Sequence, residues 1–151
     1  MSETVILPPT AVARRRHGMF IPPLMIVPLV IYNLVAFIFF GGRPDFWSGL
    51  VLHFNMVSGG AWEISWADIM LIGGLACLFV EILKSTRTGS SSVLEHMLST
   101  VVFVLYLIEF LLVPSAASSA FFLLMLMSLI DLVAGFTVSI TSAGRDVTMG
   151  H

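Results

Sequence analysis

Apolar residues fall into four long runs, separated by short clusters of charge, glycine, proline or serine. A hydrocarbon core of ~30 Å, at about 1.5 Å per helical residue, requires ~20 apolar residues per crossing. Four segments meet that length. The first extends from Met19 to about Gly41, between Arg14-Arg15-Arg16-His17 and Gly41-Gly42-Arg43-Pro44-Asp45. The second runs from Trp66 to about Leu83, the third from about Met97 to Val113, and the fourth from Ala120 to about Thr141. The connections after the second and third segments are short and rich in Ser, Gly or Pro, which joins antiparallel neighbours. The expected fold is therefore an all-α integral membrane protein, a single domain over 1–151 with four transmembrane helices in an antiparallel up-down bundle.

The loop 42–65 is the one long connection. Trp47, Leu50, Val51 and Phe54 recur in it at helical spacing, predicting a short interfacial helix over Asp45–Met56, with a turn at Val57-Ser58-Gly59-Gly60-Ala61. Its expected role is to cover the outer end of the bundle. Pro22 and Pro23 suit a first helical turn, whereas Pro28 is placed deep enough in a helix starting at Met19 to kink it. Ser65-Trp66-Ala67-Asp68 and Ser92-Val93-Leu94-Glu95 read as capping boxes at the second and third helices.

Composition agrees with this pattern: 58% of residues are hydrophobic, 11% are charged, and mean hydropathy is +1.01. A net charge of -2 offers no basic footprint for nucleic acid. Cys77 is the single cysteine, so there is no disulfide framework and no CxxC pair. Arg14, Arg15, Arg16, Lys84, Arg87 and Arg145 fall on one side of the predicted spans and Arg43 on the other, which places both termini in the cytoplasm and the chain in the cell (inner) membrane. The first apolar run exceeds a signal-peptide h-region and lacks an A-x-A-like site, so it reads as a retained anchor. Trp47, Trp62 and Trp66 lie on the outer side, at the expected headgroup level.

Small residues mark packing faces: Gly74 and Cys77 with Glu81 on the second helix, and Ser128, Asp131, Gly135, Ser139 and Ser142 on the fourth. These stripes can serve packing within the chain or contact between copies of it. Ionisable groups in a span cost about 2.5–3.5 kcal/mol each at a helix centre, so each needs a reason. Asp68 has its cap, and Glu81 has Lys84 three residues on. Glu109 and Asp131 have neither. Counted from the middle of each span, Asp131 lies within roughly 1 Å of the midplane and Glu109 roughly 6 Å outward, with no Lys, Arg or His in the central part of any span.

Three solutions are open for these two acids: a protonated carboxyl bonded to Asn33 or Tyr106, a polar contact from a partner subunit, or an ion relay in which Asp68, Glu109, Asp131 and Glu81 form a staggered ladder. His17, His53, His96 and His151 fall in loops or at helix ends, which disfavours a haem; no cofactor or metal is expected, nor an enzyme. No motif anchors the chain to a named family. The expected function is that of an accessory, assembly or scaffold subunit of a larger membrane complex, whose partners are the lipid bilayer and a membrane protein or further copies of itself. The alternative is an oligomeric proton- or cation-coupled transporter.

Overall fold

A computed structural model of the chain describes residues 22–39, 41–86 and 92–148, except the side chains of 92–93 and 142–148. Three helices are long and apolar enough to cross a membrane: α2 (Trp66–Ser85), α3 (Ser92–Leu112) and the Ser119–Thr141 part of α4 (Ser119–Thr148). The first apolar run is different. Its described part forms a shorter helix, α1 (Ile26–Leu34), which continues as a π-helical turn over Val35–Phe39. The Arg14-Arg15-Arg16 run, the start of the first span at Met19, Arg87 and the Ser92 hydroxyl lie outside the described residues, as do the side chains of Ser142 and Arg145.

Because α1 begins at Ile26, Pro28 occupies its first turn rather than its interior. The N–H that proline lacks is one of those the first turn leaves unpaired anyway, so the expected kink has no cause. The helix ends at Gly41 and Gly42, whose φ values of 57° and 77° suit glycine; the Gly42 N–H donates to the Ala36 carbonyl at 2.8 Å.

The interfacial helix expected over Asp45–Met56 does not form. A 3-10 turn over Pro44–Ser48 leads instead into a β-hairpin of β1 (Leu50–Asn55) and β2 (Ala61–Ser65). The run alternates, as a strand requires: cross-strand pairs Leu52–Ile64 and Phe54–Trp62 share one face, and His53–Glu63 and Asn55–Ala61 the other. Gly59, at φ 83°, turns the chain, and Met56 N–H closes the loop on the Gly60 carbonyl. β2 passes directly into α2, where Ser65 and Asp68 form the expected reciprocal cap.

Contacts run in opposite chain order between α1 and α2, between the end of α2 and the start of α3, and between α3 and α4. α2 and α4 consequently run in the same direction, and they pack closely at Gly74, where a Cβ would meet a Leu124 methyl. The core is aromatic at the hairpin end. Trp47 stacks on Tyr32 at 4.4 Å, Tyr32 meets Phe121 edge-on at 4.8 Å, and Tyr106 packs on Phe121 at 5.4 Å. Trp47 is thus buried within the chain, while Trp62 and Trp66 are exposed. The outward faces carry exposed Ile72, Leu75, Phe79, Leu111 and Ile140. That is the surface of a protein whose solvent is lipid.

Candidate functional site

Of the four acids, Glu81 and Asp131 share one site, Glu109 lies apart from it on another groove, and Asp68 is engaged in its cap at the exposed start of α2. The register of α2 against α4 explains how the others divide. Starting from the contact between Gly74 and Leu124, about two further helical turns in the shared direction bring Glu81 and Asp131 side by side. A cavity of about 10 Å³ lies there, lined by Glu81, Lys84, Ser85, Glu95, His96, Ser99, Asp131 and Gly135. Lys84 and His96 therefore do share the depth of Asp131, contrary to expectation. Centring each span on its own apolar run ignored the offset that helix packing imposes.

Within this inner cluster Lys84 Nζ donates to Glu81 Oε1 at 2.9 Å and lies 4.0 Å from Glu95 Oε2. The other Glu81 oxygen accepts from the Leu24 N–H at 2.9 Å and so anchors the lead-in to α1. His96 reaches across from α3 to share a hydrogen bond with the Ser139 hydroxyl at 2.5 Å. It can do so because Gly135 has no side chain; a Cβ there would lie 2.5 Å from His96 Nδ1. Asp131 is 4% exposed and is hydrogen-bonded by Ser99, yet its Oδ2 has no partner among the described residues. The cluster is closed, with room for at most one water.

Glu109 lies in the other half of the molecule, on a groove of about 570 Å³ between α1 and α3. Asn33 Nδ2 donates to Glu109 Oε2 at 2.9 Å and to the Leu29 carbonyl at 3.1 Å. Glu109 Oε1 is buried without a partner. Tyr106, although on the same face of α3, does not bond Glu109: its hydroxyl donates to the Met25 carbonyl at 3.0 Å. Around the acid–amide pair the groove is hydrocarbon, from Leu29, Val30, Leu34, Phe37, Leu105 and Ile108. Along α3, between His96 of the inner cluster and Glu109, Val102 and Tyr106 are buried.

Of the packing residues, Gly74 meets α4, Gly135 receives the His96 ring and Ser139 bonds it. Cys77 is half-buried on a second, wholly apolar groove of about 440 Å³ between α1 and α2, together with Gly73 and Trp66. His96 and Ser99 were missed as site residues. A histidine three residues before a serine, inside an apolar helix, was the available signal. Comparison with protein-family models, with curated proteins and with solved structures finds no match to this chain.

Proposed function

We propose that the protein is a small multi-pass subunit of the inner membrane, serving as an accessory, assembly or scaffold element of a larger membrane complex. In this reading α1 and its lead-in complete a four-helix antiparallel bundle, both termini are cytoplasmic, and the hairpin lies on the outer side. Support for the orientation comes from Lys84 at one end of α2 and from Arg43 with exposed Trp62 and Trp66 at the other.

The observation that carries the proposal is the Glu109 site. A carboxyl on an apolar groove, with one oxygen held by Asn33 and the other buried without a partner among the described residues, carries an unmet acceptor that a donor seated in the groove would satisfy once the carboxyl turns toward it. A transmembrane segment bearing a hydroxyl, amide or basic side chain fits both the hydrocarbon walls and the acceptor; such interhelical bonds contribute about 0.6–2 kcal/mol in membranes. The role is binding rather than catalysis: in the inner cluster Glu81 and His96 are engaged in bonds between elements. A proton or cation carrier would need both carboxyl sites on one path. They are set apart instead: Glu81 and Asp131 line the inner cluster, and Glu109 lines the groove between α1 and α3.

The test is purification of the tagged protein from its native membrane in mild detergent, beside Glu109→Gln. Glutamine keeps the oxygen that accepts from Asn33 but turns an NH₂ donor toward the groove. The expected result is a stoichiometric membrane partner that is lost in the variant. Elution alone, as a homo-oligomer, or with the same partner in both cases would overturn the proposal, and proton flux in liposomes would then test the carrier.

A further inference from the structure

The inner cluster has a property that a partner-docking role does not require. Among the described residues its one ammonium, Lys84, is committed to Glu81 at 2.9 Å, and Glu81 uses its second oxygen on the Leu24 N–H. Asp131 is 96% buried by the same structure, being 4% exposed, and it faces Glu81 and Lys84 from α2 and Glu95, His96 and Ser99 from α3. Its Oδ2 nevertheless has no partner among the described residues. An ionised carboxylate in that position would carry an uncompensated charge beside two other carboxylates. Removing a carboxylate from water without pairing is far more costly than burying a neutral acid with one unmade hydrogen bond.

A cation is the other way to balance the charge. The cavity, about 10 Å³, is at the lower limit for one water and has no space for an ion with its shell. Among the described residues no group of three or more His, Cys, Asp or Glu is arranged to hold a metal. A proton needs no space.

We infer that the inner cluster is a proton-binding site, with the proton resident on Asp131 in the folded protein. Ionisation releases that proton to the water at the Lys84 end of the bundle. It leaves Glu81 and Asp131 competing for one ammonium, and α2 and α4 meet at that competition. The site is independent of the groove at Glu109. Its ligand is the proton alone, and its occupancy makes the packing of the inner end depend on pH.

Infrared spectroscopy of the full chain in phosphatidylcholine vesicles reads this directly when the aspartates carry a ¹³C carboxyl. The chain has four, Asp45, Asp68, Asp131 and Asp146. Asp45 and Asp68 are exposed. The expected result at neutral pH is a protonated-acid carbonyl band that shifts with aspartate labelling, vanishes in Asp131→Asn and persists in Glu109→Gln. Absence of a label-sensitive band in the parent protein, or its survival in Asp131→Asn, would overturn the inference. Should Asp131→Asn fail to fold, the parent decides alone: the labelled band must fade as pH rises while the thermal unfolding midpoint falls with it. A midpoint that stays flat as the band fades would also overturn the inference.

Discussion

Asp131 and Glu109 are both carboxyls on apolar helices, yet the fold surrounds them in opposite ways. Asp131 is enclosed between α2, α3 and α4 by Glu81, Lys84, His96, Ser99 and Gly135, in a cavity of about 10 Å³. Glu109 borders a groove of about 570 Å³ whose walls are hydrocarbon, and its hydrogen-bond partner Asn33 comes from α1. The first acid belongs to the architecture of the bundle. The second, on the proposed function, belongs to the partner that fills the groove. The insertion cost of an ionisable group, about 2.5–3.5 kcal/mol when charged, thus falls in an enclosed polar cluster at one site and on an open hydrocarbon groove at the other. A buried acid in a membrane helix therefore does not indicate its role by depth alone; the openness of its surroundings does.

If this contrast holds, substitutions at the inner end are costly to the isolated protein and those at the groove are not. The largest effect is expected for Lys84→Met, which strands Glu81, with a side chain 5% exposed, beside Asp131. Removing one partner of a buried pair costs about 3–5 kcal/mol, and thermal unfolding in detergent would register it as a large fall in midpoint. Gly135→Val comes next, because its Cβ meets the His96 ring. Overpacking of this kind costs about 1–3 kcal/mol, and the loss should be smaller in the double variant Gly135→Val/His96→Ala, which removes the obstructing ring.

Smaller effects are expected on the other side of the comparison. Glu109→Gln retains an acceptor for Asn33 and should leave the isolated protein within about 0.5 kcal/mol of the parent, while abolishing partner recovery. A comparably large loss of stability would place Glu109 in the architecture too. Least of all, Trp62→Ser on the exposed face of the hairpin should leave the midpoint of the helical bundle within about 0.5 kcal/mol. A two-stranded hairpin is marginal in water, so the same variant should instead raise protease sensitivity near Gly59.

The helices were legible in the sequence where length and hydropathy decide the matter. α2 starts at Trp66 as its cap foretells, and α3 and the apolar part of α4 agree with the expected runs to within a few residues. The hairpin was not. Trp47, Leu50, Val51 and Phe54 satisfy a helical spacing by coincidence, while Leu50, Leu52 and Phe54 before a Gly-Gly turn, with Trp62 and Ile64 after it, carry the alternation that prevails. Asn33 was foreseen as a possible partner for Glu109 because both lie at one depth; Tyr106 was not excluded, since residues three apart share a face. What periodicity cannot give is the register between helices. The contact of Gly74 with Leu124 sets it, and from that contact Asp131 comes to lie beside Lys84 rather than alone at the midplane.

The central claim is that the groove at Glu109 is filled by a partner's transmembrane segment, whereas other lipid-facing surfaces are not. A photo-crosslinking amino acid at Ile108, on the wall of that groove, compared with one at Val133, exposed on α4, tests it in native membranes. The account predicts one discrete protein adduct from position 108 and lipid adducts alone from position 133. Lipid adducts alone from both positions would contradict it.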